Sequence, residues 1–123
     1  MRRRLLAFPG AVEDFPFGPE PHVFKVAGKV FAILSDADAT GGLATVSLKC
    51  DPALAPLLRE RYAAVTPGYH LNKVHWNTVA LDGSLPDDEV DDWAGMSYER
   101  VVAGLPKGAR GGLGGMTGAG RPG

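Results

Sequence analysis

His22-Val23-Phe24-Lys25-Val26-Ala27-Gly28-Lys29-Val30-Phe31-Ala32-Ile33-Leu34 is the stretch on which the fold turns. Two runs rich in Val, Phe and Ile flank Ala27-Gly28, and the first alternates loosely between apolar and polar positions. Short β-prone runs joined by a glycine-containing turn make a β-hairpin. The fold is therefore expected to grow from an antiparallel pair.

Downstream, Ser35 to Gly42 is a polar connection, and Leu43 to Lys49 alternates as a third strand beside the second. Asp51-Pro52 starts a helix, because Asp accepts from free first-turn amides and Pro suits the first helical position. Leu54, Leu57, Leu58 and Tyr62 follow at helical spacing. Val65 to Gly68 is at most a short strand running into a turn, and Tyr69 to Lys73 is polar loop. Trp76 to Leu81 alternates as a strand with Trp76, Thr78 and Ala80 on one face. After the Asp82-Gly83 turn, a last helix opens at Ser84 or Pro86. It carries an apolar stripe of Val90, Trp93, Ala94, Tyr98, Val101 and Val102, and it ends at Gly104 and Pro106. Upstream, Met1 to Phe8 forms the end of a helix that Pro9-Gly10 stops, and Glu13 to Pro21 is proline-rich loop.

The predicted order is α-β-β-β-α-β-β-α. Antiparallel strands with interspersed helices make an α+β fold, a two-layer α/β sandwich with a mainly antiparallel sheet and helices on one face. The other sheet face must then be solvated, covered or used for binding.

The chain has 123 residues and 17 glycines, eight of them between Gly108 and Gly123. Residues 1–107 thus read as one domain, and 108–123 as a flexible Gly-rich tail with no apolar surface to offset the cost of ordering it. Thirteen Lys and Arg stand against fourteen Asp and Glu. Arg110 and Arg121 lie in the tail and no acid does, so the domain carries a net charge of −3. Bulk charge does not mark a strongly basic nucleic-acid binder. The distribution is uneven, however: Asp82 to Asp92 holds six acids and no base, whereas Val23 to His75 holds six Lys or Arg and four acids.

Cys50 is the only cysteine, which excludes an internal disulfide and fits a reducing, cytoplasmic setting. Four apolar residues after the opening arginines are too few for a signal peptide, and no apolar run approaches a membrane span, so no membrane association is expected. No phosphate-binding glycine loop follows a strand. His70 and His75 lack the i, i+4 spacing of paired helical ligands, and no metal site is expected. Cys50 precedes a helix start, where a thiol can become reactive, but a small buried cysteine is the commoner state. The densest segment is Thr66 to Val79. It holds His70, Asn72, Lys73, His75 and Asn77 with Tyr69 and Trp76. Lys and His can meet phosphates, and Asn can contact phosphate or a base edge. The same residues can instead brace a long loop, with Trp76 in the core.

The chain resembles the MmcQ/YjbR family of small bacterial proteins. The likeness is carried by Phe15-Pro16-Phe17-Gly18-Pro19, Phe24-Lys25-Val26 with Gly28-Lys29, and Leu48-Lys49-Cys50-Asp51-Pro52. It continues through Thr66 to His70, Asn72-Lys73, His75 to Val79, Leu81 to Pro86, Ser97-Tyr98-Glu99 and Leu105-Pro106-Lys107. The resemblance implies a fold similar to frataxin-like and secretion-chaperone-like sandwiches, and it implies DNA binding with no enzymatic activity and no cofactor. On that basis double-stranded DNA is the expected partner. Lys49, His70, Asn72, Lys73, His75 and Asn77 are the expected contacts, with Lys25 and Lys29 as helpers. The alternatives are a protein-interaction module without DNA affinity, and a small-ligand binder or enzyme using the His70–Asn77 loop.

Overall fold

The computed structural model describes residues 1–36, 42–69 and 71–108. Three helices and six strands follow in the order α1 (Arg2–Leu6), β1 (Ala11–Asp14), β2 (His22–Val26), β3 (Lys29–Ser35), β4 (Thr45–Lys49), α2 (Ala55–Arg61), β5 (Val65–Pro67), β6 (Trp76–Ala80) and α3 (Asp87–Ala103). The strands form one sheet in the order β1-β2-β3-β4-β6-β5, and every neighbouring pair is antiparallel.

The hairpin is where the sequence puts it. Ala27 and Gly28 form its two-residue turn, both at positive φ (49° and 81°), as a turn matching the twist of the strands requires. The sheet has one strand more than expected. Ala11–Asp14, whose Glu13 and Asp14 are expected in the proline-rich loop, pairs with β2 from Ala11↔Val26 to Asp14↔Val23. The helix after Asp51 also starts later than Pro52. Asp51 first caps a turn by accepting from the Ala53 amide at 2.7 Å, and regular helix begins at Ala55.

A bulge sets the centre of the core. Phe24 faces Ala32 and Lys25 faces Val30, so Phe31 is the extra residue on β3. Phe31 and Ala32 are consequently both fully buried although adjacent in the chain. The carbonyl that the bulge frees is taken by a helix side chain. The Ser97 hydroxyl donates to the Phe31 carbonyl oxygen at 2.6 Å and accepts from the Lys49 amide at 2.8 Å. Around this point α3 lies across β2, β3 and β4. Its Val90, Ala94, Tyr98 and Val101 join Leu5, Phe24, Val26, Leu34, Val46, Leu48 and Val79 in one apolar cluster. Phe8 stacks on Tyr98 with ring centroids 4.8 Å apart, which ties the α1 end into the same cluster.

Strand alternation gives the sheet two unlike faces. Val46, Leu48, Asn77 and Val79 face the helices. Thr45, Ser47 and Lys49 on β4 face the other way, as do Trp76, Thr78 and Ala80 on β6. The second face is polar at its centre, where Ser47 and Thr78, both buried, share a 2.8 Å hydroxyl–hydroxyl bond.

Candidate nucleic-acid interface

Four lysines from four separate segments meet at one end of the sheet. The β2–β3 turn sits there, since Val26 pairs with Lys29. Because Ala32 pairs with Leu48, Lys49 ends β4 at the same end, and Lys49 itself pairs with Trp76, the first residue of β6. Gly68 bonds the Trp76 carbonyl there, and residues 71–75, which lead into β6, contribute Lys73. At the opposite end, Ser35, Thr45 and Ala80 lead into Asp36, Asp82 and the acidic first turn of α3, Asp87, Asp88 and Glu89. The charge asymmetry of the sequence thus becomes a polarity along the strands.

The lysines differ in freedom. Lys25 is half-buried and holds Asp14 at 2.9 Å. Lys29 and Lys73 are exposed and Lys49 is half-buried, and none of these three forms an ion pair among the described residues. Lys73 Nζ is 3.3 Å from the Gly68 carbonyl oxygen, a contact that leaves its charge available.

The loop that carries Lys73 is braced by the polar residues around it. The exposed Asn72 accepts through Oδ1 from the amides of Val74 (2.9 Å) and His75 (3.3 Å). The half-buried His75 accepts the Cys50 amide on its carbonyl at 2.7 Å, and its Nδ1 has no partner among the described residues. Asn77 lies on the helix side of β6 and is only 3% exposed. It accepts from Arg59 Nε at 2.6 Å and donates to the Ala55 carbonyl at 3.3 Å. Arg59 also donates to the carbonyls of Lys73 and Trp76, pinning the loop to α2. Asn77 is therefore a brace inside the fold, not a group at the surface. His70 lies outside the described residues, as do residues 109–123 of the tail. Cys50 is buried, and burial, with Asp51 adding to it, pushes its thiol pKa up, away from the thiolate that nucleophilic chemistry needs.

A second cluster went unforeseen in the sequence. Both ring nitrogens of His22 meet carboxylates, Nδ1 with Glu13 at 2.7 Å and Nε2 with Asp36 at 2.8 Å, and the Phe15 ring packs edge-on against the imidazole at 5.1 Å. Glu20, His22 and Asp36 bring ligand-type atoms within 4.8 Å of one another. With both nitrogens facing carboxylates, however, the ring works as an imidazolium clasp across β1, β2 and the end of β3. These residues converge only through strand register, so no spacing in the chain announces them. The hydrogen bond to Asp36 raises the His22 pKa above 6.5, burial opposes it, and the bond to Glu13 adds to the rise. Arg2 chiefly, with His22 helping, holds Glu13 below 4.5. A raised histidine pKa stabilises the fold fully below the unfolded value and loses that contribution as pH rises through the folded value. A lowered carboxylate pKa stabilises above its unfolded value and is lost as pH falls through the folded one. The clasp should therefore contribute most between the two ranges. Urea unfolding from pH 6 to pH 9 should show wild-type stability declining relative to His22→Gln; parallel curves would remove the clasp.

No helix among the described residues is long and apolar enough to cross a membrane. Comparison with known proteins agrees with the fold. The YjbR family model matches residues 6–100. The chain is 39% identical over 102 residues to the uncharacterized protein YjbR of Escherichia coli K12, covering 83% of this chain and 84% of that one. It is 36% identical over 106 residues to the uncharacterized protein YbdF of Escherichia coli O157:H7, with coverage of 86% and 84%. The crystal structure of Deinococcus radiodurans protein DR2400, a DUF419 domain, superposes with a TM-score of 0.81 at 35% identity, over 92% of this chain and 84% of that one.

Proposed function

The chain belongs to the YjbR family, and from that premise we propose that it is a DNA-binding protein that grips phosphates with the basic end of its sheet. One observation carries the reading: strand register sets Lys25, Lys29 and Lys49 at the end of the sheet opposite the acidic start of α3, and the loop before β6 adds Lys73 there. A lysine without an ion pair can neutralise a phosphate and release its counterion. Arg4 pairs with Asp87 and Asp91 at the acidic end, and Asp82, Asp88 and Glu89 leave that end the less favourable one for a phosphate backbone. Asn72, His75 and Asn77 serve this reading indirectly, by holding the loop that presents Lys73.

Fluorescence anisotropy with labelled oligonucleotides, duplex and single-stranded, tests it. Affinity should fall steeply with salt. Each lysine–phosphate contact adds roughly 0.9 to the slope of log affinity against log salt on duplex and roughly 0.7 on single strands. Lys49→Ala and Lys73→Ala should each flatten the slope by about one such increment. Absence of binding to either form at low salt would overturn the proposal, and an unchanged slope in both variants would move the site elsewhere.

A further inference from the structure

Trp76 is out of place for a core residue. It shares a face with Thr78 and Ala80, and the helices pack on the other side of the sheet. Trp93, by contrast, packs against the apolar cluster and meets the Tyr62 ring at 5.3 Å. Trp76 is only half-buried, and the next residues inward on its face, Ser47 and Thr78, are small, with their buried hydroxyls bonded to each other. Lys49 is its direct cross-strand partner. The loop brings a second aromatic to this side, since the Tyr69 amide donates to Thr78 Oγ1 at 3.0 Å and Tyr69 is 73% exposed.

An aromatic ring standing beside a lysine suits an unpaired base. The ring offers a stacking surface, and the ammonium meets the adjoining phosphate. In a duplex the base faces are covered by their neighbours and cannot reach such a platform. We propose that the open sheet face binds single-stranded nucleic acid, with a base stacked on Trp76 and its phosphate on Lys49. This rests on the DNA-binding reading above and specifies the form of nucleic acid that the basic end receives.

The test compares a labelled 20-nucleotide oligo-dT with a 20-base-pair duplex at one salt concentration, using the full chain. The single strand should bind at least about tenfold more tightly and quench tryptophan fluorescence. Trp76→Ala should weaken single-strand binding by roughly five- to a hundredfold, the range for loss of one stacked base, while Trp76→Phe restores most of it. Trp76→Ala keeps the Cβ against which Gly68 packs, and the wild-type quenching measurement needs no variant. Duplex bound as tightly as the single strand, without quenching, would overturn this inference and leave the DNA-binding reading standing. Binding of neither oligonucleotide would overturn both.

Discussion

Replacing Ser97 with alanine should cost about 3 kcal/mol of stability and lower the melting temperature by roughly 10 °C or more. Ser97 is fully buried on α3, and its hydroxyl serves two backbone groups at once, the Phe31 carbonyl and the Lys49 amide. Neither group is easily satisfied otherwise. Phe31 is the bulged residue, out of the regular β2–β3 ladder, and Lys49 lies one residue beyond the last β3–β4 pair. A buried polar group left without its partner costs about 1–3 kcal/mol, and the variant leaves two. The volume lost from the core is a lesser matter, because alanine keeps the Cβ and lacks only the hydroxyl oxygen. Thermal unfolding followed by circular dichroism reads the effect. A shift of less than about 2 °C would mean that the bulge does not depend on this hydroxyl.

Gly68→Ala should be the second costly change, at about 1–3 kcal/mol, the usual range for an overpacked site. Gly68 donates its amide to the Trp76 carbonyl at 2.9 Å, continuing the β5–β6 pairing by one position. An added Cβ would stand 2.7 Å from the Trp76 Cβ, 3.0 Å from the Trp76 carbonyl oxygen and 3.2 Å from the Leu71 Cβ. Two of these atoms are fixed to the β6 backbone and cannot rotate away. The strand and the loop must therefore separate, and the loop holds both Lys73 and Tyr69. The variant should unfold at a lower temperature and bind DNA more weakly than its remaining folded fraction explains. Wild-type melting and binding in Gly68→Ala would show that the approach of the loop to β6 is looser than this packing implies.

The parts of the fold legible in the sequence are those whose signals are local. The hairpin is written in alternation around Ala27-Gly28, and α3 in its acidic first turn and apolar stripe. Strand β1 carried no comparable signal. Ala11-Val12-Glu13-Asp14 is short, half charged and hemmed by Pro9-Gly10 and Pro16, and it becomes a strand only by pairing with β2.

The candidate site was legible in composition but not in arrangement. Lys25, Lys29, Lys49 and Lys73 are spread over nearly fifty positions, and only the strand register and the packing of the loop before β6 set them at one end. Asn77 could have been placed better. The alternation that sets Trp76, Thr78 and Ala80 on one face sets Asn77 and Val79 on the other, beneath the helices, where an amide must be bonded internally. The same alternation takes Trp76 out of the core that its size suggested. What no local pattern could supply is the knowledge of which face the helices cover.

The most direct test of where DNA sits is an amide chemical-shift titration of the labelled protein with an oligonucleotide at low salt. Shifts should concentrate at Lys25–Lys29, at Lys49 and Cys50, and through Gly68–Trp76, leaving Asp82 to Asp92 unmoved. Shifts centred on the acidic start of α3, or none at all at saturating DNA, would contradict the placement of the interface at the basic end of the sheet.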